Sequence, residues 1–433
     1  MNRARELAVR RGLAIVERYQ SESSDPSLVP TGIDLNGIHL EQSKLDVLVR
    51  TKTNRLPWRG QFPPELVGYF LETVCSDCQF VFDPFCGSGT VLFEAIGRGR
   101  DAVGSEVNPA AWHLANLASF AGLTPALKKS VLNLFRSIAM TTGPSRGLFS
   151  SSITADNIID LIRSIETEKT FAKYLPALLL LGMRDDAELN DSSLARGAVA
   201  ALPVLTDLSD ITAQAVCHLE DARKTSLEDG TVDAIITSPP YINVFNYHQN
   251  YRSAVELLGW HPLNAAPSEI GANRKHRANR FLTVVQYCLD MIQCLNEMTR
   301  VLKLDSPVVV VLGRTSNVLG APFANGRIFS QLLSLSGSFG PVRTEERVFT
   351  NRFGARIFED ILITRKLRNA SIDFEDAREI GVLALTTARN VVAKKNRDDL
   401  EGAIKNAGDV KPSPFLTLDF PEPFHHARNQ KVS

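Results

Sequence analysis

The stretch Gln79–Thr90 restricts the fold of this chain more than any other. Phe80, Val81 and Phe82 form an apolar, β-prone run that ends abruptly in Asp83-Pro84, where proline removes a backbone donor and stops the ladder. Gly87 and Gly89 follow inside a short turn, and a helical pattern opens near Thr90 and continues through Val91, Leu92, Phe93 and Ile96. Glycines placed this way let the backbone approach a ligand closely, as in nucleotide-binding turns at the carboxyl edge of a parallel sheet. The spacing is not Gly-x-Gly-x-x-Gly and no Gly-Lys-Ser/Thr follows, which excludes the dinucleotide fingerprint and the P-loop. A second strand is predicted over Asp101–Asn108. It carries Glu106 about 20 residues beyond the glycine turn, where an acid is placed to bind ribose hydroxyls. Strand, glycine turn, helix, strand and acid in this order predict an adenosine-type cofactor site.

A second informative stretch is Val232–Tyr241, in which an apolar strand runs into Thr237-Ser238-Pro239-Pro240-Tyr241. The two prolines keep the carbonyls around Ser238 and Pro239 out of helix or ladder and leave them free to accept hydrogen bonds. Tyr241 adds a flat face beside those acceptors. The combination suits a planar base whose exocyclic amino group has been taken out of its stack. Taken alone, the same residues also describe a strand-ending turn with a buried tyrosine.

With both stretches in view, the chain resembles the S-adenosylmethionine-dependent amino-methyltransferases that act on exocyclic nitrogens of nucleobases. Asp83-Pro84-Phe85-Cys86-Gly87-Ser88-Gly89-Thr90 resembles their cofactor motif, and Thr237–Tyr241 resembles their catalytic motif. Arg59–Leu66 resembles the segment that flanks the methionine end of the cofactor, and Glu220–Arg223 the acidic strand end near its adenine. The resemblance implies S-adenosyl-L-methionine as cofactor, held by Phe62, Pro63, Asp83–Thr90, Glu106, Asp221 and Thr237. It implies Ser238, Pro239, Pro240 and Tyr241 as catalytic residues acting on a flipped base of double-stranded DNA. Serine in the first position of the tetrapeptide is typical of members that modify N4 of cytosine, with N6 of adenine the neighbouring possibility. Many such members place the catalytic motif first, whereas here the cofactor motif leads. That order is shared with RNA guanine-N2 methyltransferases, which usually carry Asn in the tetrapeptide and an RNA-binding domain ahead of it. An RNA enzyme of that kind, or a non-catalytic S-adenosylmethionine-binding regulatory subunit, are the alternatives. A restriction-modification setting, with cognate restriction or defence proteins, is the implied context.

Charge matters because 48 basic and 48 acidic residues cancel, so nucleic acid must be met by local patches rather than by the overall field. The strongest patch is Arg274, Lys275, Arg277 and Arg280, with Asn243, Tyr247 and Arg252 between it and the catalytic tetrapeptide. These amide, aromatic and cationic groups suit contacts with bases and phosphates. Six irregularly spaced cysteines argue against a secreted disulfide framework and fit a cytoplasmic chain. Cys75-x-x-Cys78 lacks a partner pair, so no metal site is expected. Cys86 is expected to be a packing residue. No apolar run reaches the roughly 18 residues of a membrane span.

The expected fold is α/β: a doubly wound, mainly parallel, Rossmann-like sheet with a helical insertion and helical terminal extensions. Residues 1–57 form the N-terminal extension, and 58–120 with 214–366 the methyltransferase domain implied by the resemblance. Residues 121–213 form the helical insertion, a candidate for target recognition, and 367–433 the C-terminal extension. Strands are predicted over Ala215–Leu219, Val232–Thr237, Pro307–Gly313, Arg347–Arg352 and Phe358–Thr364, and a helix over Thr283–Leu302.

Overall fold

The computed structural model describes residues 37–49, 55–58, 60–140, 153–163, 173–184, 188–243, 250–272, 276–351, 353–370, 373–417 and 421. After the helix Pro64–Glu72 (α1) the chain alternates strand and helix: Phe80–Asp83 (β1), Thr90–Ile96 (α2), Asp101–Glu106 (β2) and Pro109–Ala115 (α3). Three longer helices follow, Pro125–Ala139 (α4), Leu175–Gly182 (α5) and Asp191–Asp207 (α6). They lead to Ala215–Leu219 (β3) and Ala234–Thr237 (β4). Then come Arg252–Leu257 (α7), Leu282–Val301 (α8), Pro307–Gly313 (β5), a small hairpin of Thr315–Val318 and Ala321–Ala324, and Asn325–Ser336 (α9). The hairpin Arg343–Thr350 (β6) and Arg356–Arg365 (β7) closes the sheet, and Phe374–Ala388 (α10) and Arg397–Lys405 (α11) follow.

The strands form one seven-stranded sheet in the order β3-β2-β1-β4-β5-β7-β6. β1 to β5 are mutually parallel, and β7 runs antiparallel to both β5 and β6. Strand order reverses between β1 and β4, which opens a crevice at their carboxyl ends. The sheet is buried on both faces, so its strands read as continuous apolar runs rather than as alternating ones. Val81, Ala102, Ala234, Ile236 and Val309 point into one core, and Phe82, Val103, Ile235, Val308 and Val310 into the other.

The described part of the helical insertion belongs to the first of these cores. All eight residues of α5 are buried. α6 starts with a reciprocal cap between Asn190 and Ser193. The two helices meet at glycines: a Cβ on Gly182 would lie 2.1 Å from the Ser193 carbonyl oxygen, and one on Gly197 2.1 Å from that of Leu178. The described part of the insertion therefore packs as a wall of that core across one face of the sheet.

The described parts of both extensions pack against the sheet domain as well. The short helix Gln42–Leu45 caps the edge strand β6: the Val348 N–H donates to Asp46 (2.7 Å), Gln42 to the Glu346 carbonyl (2.8 Å) and Arg343 to the Ile38 carbonyl (2.6 Å). An edge covered in this way is shielded from pairing with other chains. At the other end, Ile380 and Leu385 of α10 enter the second core. The expected amphipathic helix at the start of the chain lies outside the described residues. No helix among the described residues is long and apolar enough to cross a membrane.

Gly197→Val should overpack the α5–α6 contact and lower stability by about 1–3 kcal/mol. Chemical denaturation of the variant against the wild-type chain measures this.

Candidate active site

The carboxyl ends of β1 to β4 open into one cleft of about 980 Å³. β1 ends on Asp83, whose buried carboxylate accepts the Phe85 N–H (3.1 Å) and the Thr237 hydroxyl (2.6 Å). Burial pushes its pKa up to about 7, against the pull of those two donors. Thr237 is fully buried at the end of β4 and braces Asp83 from beneath.

The turn after β1 takes φ of 52° at Gly87 and 92° at Gly89. Pro84, Phe85, Cys86, Gly87, Ser88 and Thr90 line the cleft, as does Phe62 ahead of the sheet. Pro63 precedes α1 as its N-cap. The lining passes over Gly89, where a Cβ would sit 3.0 Å from the Ala115 Cα. Glycine is thus demanded there by the left-handed turn and by the packing of α3. Cys86 is buried against Gly104, where a Cβ would come within 2.5 Å of its sulfur. Burial holds its thiol well above the usual range, so it packs as a neutral group.

Glu106 at the end of β2 turns one side to the cleft. Its Oε2 accepts the Gly87 N–H and its Oε1 the Asn108 N–H, both at 2.8 Å. Burial pushes its pKa up to about 7, opposed by the Asn108 and Gly87 N–H groups and assisted by the nearby Asp83 charge. The Val107 N–H bonds to Glu106 as well, and of a carboxylate's about four lone-pair sites the remainder stays open to a ligand hydroxyl.

Asp221, the other acid expected to meet the cofactor, lies on the lining with its acceptor sites taken. Oδ1 accepts the Arg223 N–H (3.0 Å) and Nε (2.8 Å), and Oδ2 accepts Arg223 Nη2 (2.6 Å) and the Leu416 N–H (3.1 Å). A carboxylate offers about four lone-pair sites, so Asp221 has no acceptor left for a ligand. Its carboxylate thereby ties the strand end to Arg223 and to the tail at Leu416. Glu220, one residue earlier, accepts Ser105 Oγ and the Ser226 N–H, both at 2.9 Å, and also lines the cleft. It retains acceptor capacity at the strand end.

Ser238 and Pro240 open into the same cleft, Pro239 is buried, and Tyr241, the next residue, is half-buried and is not part of the lining. The structure adds lining residues that were not singled out in the sequence: Gln61 within Arg59–Leu66, Ser105 on β2, and Trp58, Ser268 and Glu269 outside any motif. Gln61 donates to Ser88 Oγ at 2.6 Å. Trp58 stacks on Tyr251, with ring centroids 6.2 Å apart and planes 9° apart, and the Tyr251 hydroxyl donates to the Pro57 carbonyl (2.7 Å). Aromatics on either side of a motif were a signal for that pair. Ser268 and Glu269 arrive from a segment that only tertiary packing brings to the cleft.

Of the residues expected to meet nucleic acid, Tyr247, Arg274 and Lys275 lie outside the described residues. Asn243 accepts from Arg280 and donates to the Asn317 carbonyl, so these groups form one cluster just past Tyr241. Arg252 is paired with Glu256 at 2.6 Å. Arg277 is exposed.

Residues 35–117 match the family model of the N6/N4 DNA methylases. Over those residues the chain is similar to DNA methylases that modify amino nitrogens of bases. It is 38% identical over 53 residues to the type II methyltransferase M.MjaII of Methanocaldococcus jannaschii, a stretch covering 12% of this chain and 10% of that relative. The chain thus matches about a tenth of the length of that curated relative. Solved structures similar to it include an S-adenosylmethionine-dependent methyltransferase from Methanosarcina mazei, at 13% identity and a TM-score of 0.30, covering 66% of this chain and 92% of that one. Another is the rRNA methyltransferase aviRa from Streptomyces viridochromogenes, at 14% identity and a TM-score of 0.32, covering 79% and 96%.

The donor set of the cleft fits S-adenosylmethionine, the cofactor of the DNA methylases whose family model residues 35–117 match. Glu106 offers acceptors for ribose hydroxyls, the Gly87 turn offers close backbone, and Phe62, Phe85 and Ile270 offer apolar walls for a planar ring.

Two outcomes follow. Gly89→Val should destabilise the cofactor-free fold by about 1–3 kcal/mol through the clash with α3, read as a lowered melting temperature. A ligand hydroxyl donating to Glu106 favours its ionised form. Cofactor affinity should therefore rise from about pH 6 to about pH 8 and then level, with Glu106→Gln binding more weakly and with a flatter profile by calorimetry. By the same linkage, the cofactor-free fold loses stability as pH rises through about 7, where Asp83 and Glu106 ionise.

Proposed function

We propose that this chain methylates the exocyclic amino nitrogen of a base flipped out of double-stranded DNA, N4 of cytosine first and N6 of adenine next. The observation that carries this is the shared cleft: Ser238 and Pro240 open into the same cavity as the Gly87 turn and Glu106, so acceptor groups for an amine face the cofactor's place. The family model and the similarity to a type II methyltransferase support DNA as the substrate.

An aryl amine is a weak nucleophile because its lone pair is delocalised into the ring. Ser238 and the Pro239 carbonyl accept the two amino hydrogens, which draws the nitrogen toward tetrahedral geometry and localises the pair. Tyr241 holds the base by stacking, worth on the order of 1–3 kcal/mol. S-adenosylmethionine, when bound, supplies an electrophilic methyl group on sulfur. The protein's contribution is positioning, with reacting atoms at about 3–3.5 Å, in a cleft walled by Phe62, Phe85 and Ile270. The nitrogen becomes acidic once methylated, so its proton leaves without a strong base.

Ser238→Ala should lower kcat with cofactor affinity unchanged, and Tyr241→Ala should lower kcat and raise the KM for DNA. Wild-type single-turnover rates in both variants would remove these residues from the mechanism. Arg277→Ala should weaken DNA binding equally on all sequences and flatten the slope of log affinity against log salt by about one unit. An unchanged slope would place the DNA path elsewhere.

A further inference from the structure

Tyr241 is seated by groups that no sequence motif marks. β5 ends on Gly313, where a Cβ would lie 2.8 Å from Tyr241 Cε2 and 3.3 Å from both Cδ2 and Cζ. The tyrosine ring therefore occupies the space that any side chain at 313 would need. On the other side, Gly271, at φ 70°, would place a Cβ 2.3 Å from the Tyr241 carbonyl oxygen. The residue after Tyr241 is fixed in turn. The Ile242 N–H donates to Asn325 Oδ1 at 3.4 Å, while Asn325 Nδ2 donates to the Gly313 carbonyl at 2.7 Å and to Ser316 Oγ at 2.9 Å. Asn325 is fully buried, and its own N–H donates to the Arg314 carbonyl at 3.0 Å.

One side chain thus bridges the backbone on either side of the contact, the end of β5 and the start of the segment past the tetrapeptide. A carboxamide suits the task because it presents a donor and an acceptor in one rigid plane. Removing it would leave buried backbone groups without partners.

We propose that Gly313 and Asn325 are positioning residues for the target base, Gly313 as the floor against which the Tyr241 ring lies and Asn325 as the pin that fixes its backbone. This rests on the assignment of Tyr241 as the group that holds the base. The seat sets the height and tilt of the ring next to Pro240, which lines the cleft. An added methyl at 313 lifts the ring, and loss of the amide at 325 frees its backbone. Neither change touches the residues that face the cofactor.

The test separates the seat from the role of Tyr241. The seven tyrosines of the chain are labelled as 3-fluorotyrosine, and the Tyr241 fluorine resonance is assigned by its loss in Tyr241→Ala. Gly313→Ala and Asn325→Ala should each move or broaden that resonance while cofactor affinity by calorimetry stays at the wild-type value. Methylation of duplex DNA should fall in each on the order of tenfold to a hundredfold in kcat/KM, with the KM for DNA raised. In a Tyr241→Ala background Gly313→Ala should cost nothing further, since the floor has lost its ring. An unmoved resonance in both variants overturns the seat. A moved resonance with wild-type methylation, or a Gly313→Ala loss that persists without the tyrosine, overturns the positioning role. If Tyr241→Ala alone methylates normally, the assignment of Tyr241 fails, and the positioning role fails with it whatever the resonance does. If Asn325→Ala does not fold, Gly313→Ala carries every arm.

Discussion

β1 and β4 lie side by side at the centre of the sheet, and the Thr237 hydroxyl donates to the Asp83 carboxylate across them at 2.6 Å. Asp83 immediately precedes the glycine turn and Thr237 immediately precedes Ser238, so this one contact sets the distance between the cofactor turn and the tetrapeptide. Burying a carboxylate is costly unless donors surround it. Here two donors offset part of that cost, and a pKa pushed up to about 7 records the remainder. The strand register, with Val81 opposite Ala234 and Phe82 opposite Ile235, brings both motifs to one edge.

Much of this was legible in the sequence because the parallel strands are buried on both faces. β3 and β5 coincide with the predicted Ala215–Leu219 and Pro307–Gly313, and α8 lies within one residue of its predicted ends. β4 starts at Ala234 rather than Val232, because Val232 instead bridges to Leu302. The hairpin Thr315–Val318 with Ala321–Ala324 escaped prediction: its residues alternate irregularly in burial and carry no strong β-branched run. The last two strands, β6 and β7, run longer than predicted, since charged residues such as Arg343, Glu345 and Glu346 of the edge strand β6 form ion pairs there.

Within the site, local sequence identified what is made locally. Gly87 and Glu106 are joined by a bond between neighbouring strand ends, and both stand where the strand-turn-helix pattern put them. Gly89 and Asp221, expected at the cofactor, also have structural partners remote in sequence. Ala115 on α3 claims the first, and Arg223 with the tail at Leu416 claims the second. The same tail is pinned by Asp290, which accepts from the Ser413 N–H at 2.6 Å, and by Arg223, which donates to the carbonyls of Ser413 (2.6 Å) and Pro414 (2.8 Å). A motif states which residue types a site needs. It does not state which of them the rest of the chain has already taken.

The central claim is that one cleft presents an amine's acceptors to a methyl donor, with the base drawn from DNA. The most direct measurement is to incubate the protein with S-adenosylmethionine and unmethylated duplex DNA, digest the product to nucleosides and identify the modified one by mass spectrometry. The account predicts N4-methylcytosine, formed by the wild-type chain and strongly reduced with Ser238→Ala. A methyl group found only in RNA presented under the same conditions, or none in any nucleic acid despite tight cofactor binding, would contradict it.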